Sequence, residues 1–599
     1  MPRSKSVLFS LAPVARTHPG ASRQNQERKK EDAMQRISLL STAATLAAFS
    51  VLFLIPFQTA QAQTESVLYN FCSVSVCVDG SAPSGTLTGD RYGNFYSTAQ
   101  SGGIGACDFF CFGGAVFQLS PEPAAGCPSG FNPGNGWCET PIYNFCSPYG
   151  YNYYPDCPDG VSPTSNLTLV PPPSHFSTAV GTLYGTTYGG GTGTGCSDPN
   201  GCGIAFELSE VPLPSGVCPS GSNPGSGWCE TVIYNFCSLN SGCTDGNYPS
   251  GNLVRDSSGN LYGMVENGVF ELSPNGSGWT EAVIYSTFTN GGGLAIDGSG
   301  DLYGEDGNQN VFKLSRNSSG VWVPTNIHTF TGVPDGLYPS GAPVLDSAGD
   351  VYGTTANGGT GTLNCTSGCG TVWKLTPVTK GKLAGTYTKK ILHSFTTAKT
   401  GYYPGAGVTL DSSGNIYGTT ATGGKYGALC PNANDVNITC GTIFELAKTA
   451  TGYTFKVLWS FDYTDGGFPF ANPILDSSGN LYGTTNGGGA SYDGGTVYKV
   501  IPSGTATSTT TTLTSSLNPS VYQDEVTFTA VVTPAPPNGE TITFERGSTV
   551  LGTGALSSGS ASFNISTLPL GTSEVKAVYA GDGDFDASTS NTIPEVVKN

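Results

Sequence analysis

Apolar and polar residues alternate with a period of two over short runs along most of this chain, and the runs are bounded by Gly, Pro, Asn and Asp. That pattern predicts many short β-strands joined by tight turns. One unit recurs seven times: Asp-x-Ser-Gly-Asn-Leu-Tyr-Gly-Thr-Thr, then a glycine-rich stretch, then Gly-Thr-Val-Phe-x-Leu. Its tyrosines are Tyr96, Tyr184, Tyr262, Tyr303, Tyr352, Tyr417 and Tyr482, and the clearest copies run from Asp411 to Thr420 and from Asp476 to Thr485. A further strand ends in aromatic-x-Phe, as in Tyr69-Asn-Phe71 and Trp459-Ser-Phe461. Between it and the next Asp-Ser-Ser-Gly turn lies an Asp-Gly-x-x-Pro turn in most copies, such as Asp335 to Pro339. Each unit therefore predicts about four strands, with glycine taking positive φ in the hairpin connection.

Small sheets of this kind cannot bury both faces alone. Packed radially they form a β-propeller, and seven units fall within the usual number of blades. The order of elements sharpens the expectation: Val67 to Phe71 precedes any complete unit, so it can complete the last sheet beside Thr496 to Val500. The competing architecture is an open β-solenoid. Consecutive signature tyrosines lie 88, 78, 41, 49, 65 and 65 residues apart, and blades with loop insertions tolerate such unevenness better.

The start of the chain differs. Residues 1–33 are basic and irregular and read as a non-native upstream extension. Met34 opens a secretory signal peptide over 34–62, with an apolar stretch from Ile37 to Phe57 and Ala60-Gln61-Ala62 as the cleavage site; an uncleaved membrane anchor is the alternative. The seven-repeat propeller is expected over 63–502 and a Ser/Thr linker over 503–512. Four alternating runs over 513–599 read as an Ig-like β-sandwich. The fold class is all-β.

Composition agrees. The 599 residues include 85 Gly and only 11% charged residues, which excludes long solvated helices. The formal net charge of −18 becomes −23 without residues 1–62. Such a surface disfavours nucleic acid and anionic lipid.

All 18 cysteines lie between Cys72 and Cys440 and fall into neighbours: Cys72 and Cys77, Cys107 and Cys111, Cys127 and Cys138, Cys146 and Cys157, Cys196 and Cys202, Cys218 and Cys229, Cys237 and Cys243, Cys365 and Cys369, Cys430 and Cys440. Behind a signal peptide an even count argues for disulfides. The duplicated segments from Cys127 to Cys138 and from Cys218 to Cys229 each place a Pro-Gly turn between two cysteines, so sequential pairing is expected. A zinc site would need four converging thiolates or imidazoles.

The repeat resembles that of the bacterial GloVer tandem-repeat, choice-of-anchor proteins, whose units carry Gly-Asn-Leu-Tyr-Gly-Thr-Thr and Gly-Thr-Val-Phe. The likeness spans roughly Ser66 to Pro502 and is best in units five to seven. It implies a secreted or surface-attached protein and supplies no catalytic residue. Units three and four depart from it, with Met264-Val-Glu-Asn and Glu305-Asp-Gly-Asn in the Thr-Thr region, and are expected to be degenerate. The stretches Leu517 to Tyr522, Gly547 to Gly554 and Ala577 to Asp584 resemble bacterial Ig-like domains, modules that serve as spacers or adhesion units.

Candidate chemistry is sparse. His328 and His393 occupy the slot filled elsewhere by Tyr69, Tyr143, Tyr234, Tyr285 and Trp459, and read as packing aromatics. Asp256, Asp297, Asp346, Asp411 and Asp476 lack the spacing of an EF-type calcium loop and read as hairpin caps. Glu266, Glu305 and Asp306 break the consensus and are the least poor candidates for the two carboxylates of a glycosidase or lyase, the competing function class, but they read first as ordinary loop residues. No catalytic residue, cofactor or metal is assigned. The expectation is a monomeric, secreted or cell-surface binding module whose extracellular ligand is a carbohydrate or a protein, with no nucleic-acid partner and no membrane insertion after cleavage.

Overall fold

The computed structural model describes residues 64–599 apart from intervening segments, among them 104–112, 128–135, 147–156, 173–179, 426–439 and 503–507. The upstream extension and the signal peptide lie outside the described residues. Those residues are all-β: seven four- or five-stranded antiparallel sheets precede two further sheets at the C-terminus.

In the third to sixth sheets consecutive strands pair as neighbours; the first two keep this order for four strands and add one short extra strand each. The fifth is typical, with Leu337–Leu345, Val351–Asn357, Thr371–Pro377 and Tyr387–Ser394 in order. Units three and four also build complete four-stranded sheets, because their substitutions keep the strand alternation and change only side chains. The seventh sheet takes Ile474–Leu475, Leu481–Thr485 and Thr496–Ile501 from the end of the repeats. Its fourth strand is Thr64–Asn70, antiparallel to Thr496–Ile501 with Val67 opposite Tyr498.

The repeat signature follows from packing. In six units a glycine follows the signature tyrosine and lies across from the aromatic residue of Val-Phe-x-Leu, and in the first Ser97 takes that place opposite Phe117. A Cβ on Gly353 would stand 2.4 Å from Trp373, and one on Gly418 2.5 Å from Phe444. The glycine opening Gly-Thr-Val-Phe has positive φ, and the proline of the next unit fills its Cβ position. Pro404 Cδ is 2.5 Å from that point at Gly370, and Pro83 Cδ is 2.7 Å from it at Gly495.

Contacts pass from sheet to sheet in chain order. Thr88 Oγ1 donates to Leu167 O (2.7 Å), and Asn252 Nδ2 donates to Leu294 O (3.0 Å). Phe330 meets Trp373 at 5.6 Å between centroids. Thr354 Oγ1 donates to Ala406 O (2.6 Å) and Thr419 Oγ1 to Ala471 O (3.2 Å). From the seventh sheet, Thr484 Oγ1 donates back to Gly85 O of the first at 3.1 Å.

Seven disulfides close loops within this region: Cys72–Cys77, Cys127–Cys138, Cys146–Cys157, Cys196–Cys202, Cys218–Cys229, Cys237–Cys243 and Cys365–Cys369. Cys107, Cys111 and Cys430 lie outside the described residues; Cys440 is disulfide-bonded.

The C-terminal domain packs a three-stranded sheet against a six-stranded one around Phe528, Ile542, Phe544 and Tyr579. Its first strand, Thr510–Ser515, begins inside the span read as linker. Threonines 510–512 pair with Val531 to Thr533, as β-branched residues favour.

Candidate functional site

Six units share one turn built on an aspartate. In the seventh, Asp476 Oδ1 accepts from Ser478 N (2.8 Å) and Asn480 N (2.9 Å), while Oδ2 accepts from Asn480 Nδ2 (2.8 Å) and Tyr482 OH (3.1 Å). Asp256 and Asp411 repeat all four bonds, and Asp297 and Asp346 repeat the two backbone bonds and the tyrosine bond. Asp90, which the sequence reading passed over, makes the same set with Asn94 and Tyr96. These carboxylates hold turns: burial works to raise the pKa of Asp256, but its hydrogen bonds bring it below the ordinary value.

The entry to six of the seven sheets is a second repeated turn. The residue before its proline has positive φ at Ala82 (52°), Ser162 (52°), Tyr248 (49°), Tyr338 (55°), Tyr403 (55°) and Phe468 (56°). The N–H of that residue donates to the preceding sheet, as Tyr403 N does to Cys369 O at 3.0 Å and Ala82 N to Gly494 O at 2.8 Å. Left-handed backbone costs a non-glycine residue on the order of 1 kcal/mol. Alanine and serine suffice for the geometry in the first two sheets, so the fold does not call for the aromatic rings in the other four.

Just past these turns the chain enters a cavity of about 180 Å³ to which every one of the seven sheets contributes: Ser84 and Thr86, Thr164 and Asn166, Ser250 to Asn252, Gly292 and Gly293, Gly341 and Ala342, Gly405 to Gly407, and Phe470 to Asn472. The lining has hydroxyls, amides and bare backbone and no charged side chain. Around the entry turns, Tyr338 is 50% and Phe470 45% exposed. Tyr188 stacks on Tyr248 at 4.9 Å and 18°, and Phe468 on Phe470 at 6.3 Å and 13°.

The polar residues singled out by sequence do not converge on this cavity. Exposed Glu266 accepts from Asn247 Nδ2 at 2.9 Å. Asp306 caps its own turn, accepting from Asn308 N, Asn310 N and Asn310 Nδ2. Glu305 is buried with neither oxygen hydrogen-bonded, and burial holds its pKa well above the usual carboxylate range. His328 and His393 pack edge-on against Phe330 and Phe395, and His393 also stacks on Phe455 at 3.9 Å. Burial, joined at His328 by the Lys389 ammonium, lowers both imidazoles to about pKa 4, so both are neutral at pH 7. The sulfurs of Cys202, Cys237 and Cys243 cluster within 4.8 Å, but all three are oxidised, in Cys196–Cys202 and Cys237–Cys243, and offer no thiolate to a metal.

Residues 299–531 match the Gloeobacter/Verrucomicrobia repeat and residues 513–598 the bacterial Ig-like domain, group 3. No curated protein matches the chain in sequence. Among solved structures, a fungal alcohol oxidase of the AA5 family in complex with copper is 11% identical with a TM-score of 0.40, covering 90% of this chain and all of that one. The extracellular domain of a one-component system from Bacteroides thetaiotaomicron is 12% identical with a TM-score of 0.20, over 85% of this chain and 80% of its own.

Proposed function

From a chain that carries Gloeobacter/Verrucomicrobia repeats followed by a bacterial Ig-like domain, we propose a secreted or surface-attached propeller that binds a neutral glycan at the mouth of its axial cavity. The seven sheets serve as blades. Support for this comes from the run of contacts between successive sheets, the bond from Thr484 to Gly85, and the cavity to which all seven contribute. Disulfides in seven loops suit an oxidising compartment.

The observation that carries the ligand class is the set of aromatic residues in left-handed backbone at the entry turns, where a small residue would hold the fold as well. Flat uncharged rings bind the apolar faces of pyranoses, and hydroxyls and amides within the cavity bind their hydroxyls. The chain's negative charge disfavours anionic ligands. The test is electrophoresis of the mature protein through gels containing neutral polysaccharides. Retardation is expected, and Tyr338→Ala with Phe470→Ala should weaken it about tenfold or more with an unchanged melting temperature. Migration unaffected by every neutral polysaccharide overturns the ligand class, and release of new reducing ends moves the protein to the enzyme class.

A further inference from the structure

The fourth strand of most sheets carries an ionisable residue four positions before its aromatic: Glu65 before Tyr69, Glu139 before Tyr143, Glu230 before Tyr234, Glu281 before Tyr285, and Lys389 before His393. The aspartates of the Asp-Gly turns are the other half of the pattern. Asp79 Oδ2 accepts from Tyr69 OH and Ser73 N, both at 2.9 Å, and Asp245 Oδ2 from Tyr234 OH and Ser238 N, both at 2.9 Å. Asp465 Oδ2 accepts from Trp459 Nε1 (2.8 Å) and its Oδ1 from Asp462 N (2.8 Å). The Oδ1 atoms of Asp79 and Asp245 are buried without a hydrogen bond.

The glutamates come from the sheet that follows. Glu139 is fully buried, neither of its oxygens is hydrogen-bonded, and it faces Asp79 and Tyr69. Glu281 and Glu65 hold the repeat position of Lys389, and Asp245 and Asp465 that of Asp335, whose side chains meet in the fifth sheet. Glu281 and Glu65 each have one buried oxygen without a partner.

Two carboxylates cannot lie together in a dry interface as bare anions. The fifth sheet meets the same requirement with a tethered cation, Lys389 bonding to Asp335 beside His328. The others need a proton or a metal ion, and one Asp and one Glu supply too few oxygens for calcium.

We propose that Glu139, Glu281 and Glu65 are neutral carboxylic acids, each holding its own proton beside the aspartate of the preceding Asp-Gly turn, where the fifth sheet sets Lys389 against Asp335, and that these protons staple successive sheets together. The staple at Glu65 ties the N-terminal strand to the sixth sheet. Burial, and then the neighbouring carboxylates, push Glu281 up to about 8 and Glu65 up to about 9. Because the folded pKa values are raised, the stabilisation is complete below the unfolded carboxyl value of about 4.5 and is lost as pH rises toward 8 to 9. Each retained proton makes the unfolding constant grow by up to about tenfold per pH unit across that window.

The experiment is thermal unfolding of the mature protein between pH 5 and 9, with and without Glu139→Gln, Glu281→Gln and Glu65→Gln. The melting temperature of the parent should fall steadily with pH. The triple variant should match it near pH 5 and exceed it at pH 8 with a flatter profile. Where a variant fails to fold, the infrared carbonyl band of the parent at pH 7, assigned by 13C-glutamate labelling, reads the same protons. A flat parent profile, absence of that band, or a melting temperature at pH 8 that calcium raises and chelation lowers would each overturn the proposal, the last by placing a metal ion where we place the proton.

Discussion

The repeat is legible at the residue scale because each of its letters answers one contact. Asp476 serves four donors, three of them on buried Asn480 and Tyr482. Asp476→Ala removes this shared acceptor and should cost about 1–3 kcal/mol in denaturant unfolding. Gly353→Ala drives a methyl into Trp373 and should cost about 1–3 kcal/mol or more, since the indole has no free volume to move into. Departures from the consensus compensate in pairs. Where the turn asparagine becomes Asp301 or Asp350, the residue opposite the signature tyrosine becomes Lys313 or Lys374 and forms an ion pair. With Asn260 and Asn415 the same position is Glu271 or Glu445; the seventh sheet breaks this rule with Asn480 and Lys499. The aromatic residues before proline were not legible in this way. Nothing in Asp-Gly-x-x-Pro tells that the fourth position, just before the proline, has positive φ, so Tyr248, Tyr338, Tyr403 and Phe468 read as ordinary turn residues until the backbone is known.

At the scale of elements, alternation located the strands but misjudged which faces meet. In Trp137–Asn144 the register shifts between Pro141 and Tyr143 opposite Val116 and Phe117. A bulge of this kind re-aims the side chains on either side of it, and Glu139, on the same strand, is fully buried. Of the carboxylates that break the consensus, Glu266 bonds Asn247 and Asp306 caps its own turn, whereas Glu139, Glu281 and Glu65 sit in strands that keep it. The disulfides are likewise local devices. Each described bridge spans between 4 and 11 residues of sequence, and loops of that size contribute on the order of 2–3 kcal/mol apiece in the chain-entropy model. No described bridge joins two sheets that are distant in sequence. Reduction should therefore lower the melting temperature while the mature protein keeps its radius of gyration in small-angle scattering; expansion to an open chain would mean that the bridges hold the sheets together.

For the whole molecule, the decisive contact is the one that sets the strand before the first repeat into the sheet of the last. Thr64–Asn70 brings Leu68 and Tyr69 into the core with Phe71 just beyond, each 4% exposed or less, against Phe95, Phe117 and Tyr482. At roughly 1.5–3 kcal/mol for each fully buried side chain, these three contribute about 5–9 kcal/mol, comparable to the entire stability of a typical domain. The Cys72–Cys77 bridge that follows cannot replace them, since it links the strand only to its own exit loop. Deleting residues 64–70 should abolish the cooperative unfolding transition of the repeats, and a synthetic peptide spanning residues 64–72, added in excess, should restore it by occupying the vacant edge of Thr496–Ile501. Deleting residues 513–599 should leave that transition in place, because the C-terminal domain has its own core around Phe528, Phe544 and Tyr579. Differential scanning calorimetry of the two truncations separates the cases. If the repeats unfold as sharply without residues 64–70 as with them, the sheets are held by nearest-neighbour contacts alone, as in an open solenoid, and the radial arrangement fails with its axial cavity.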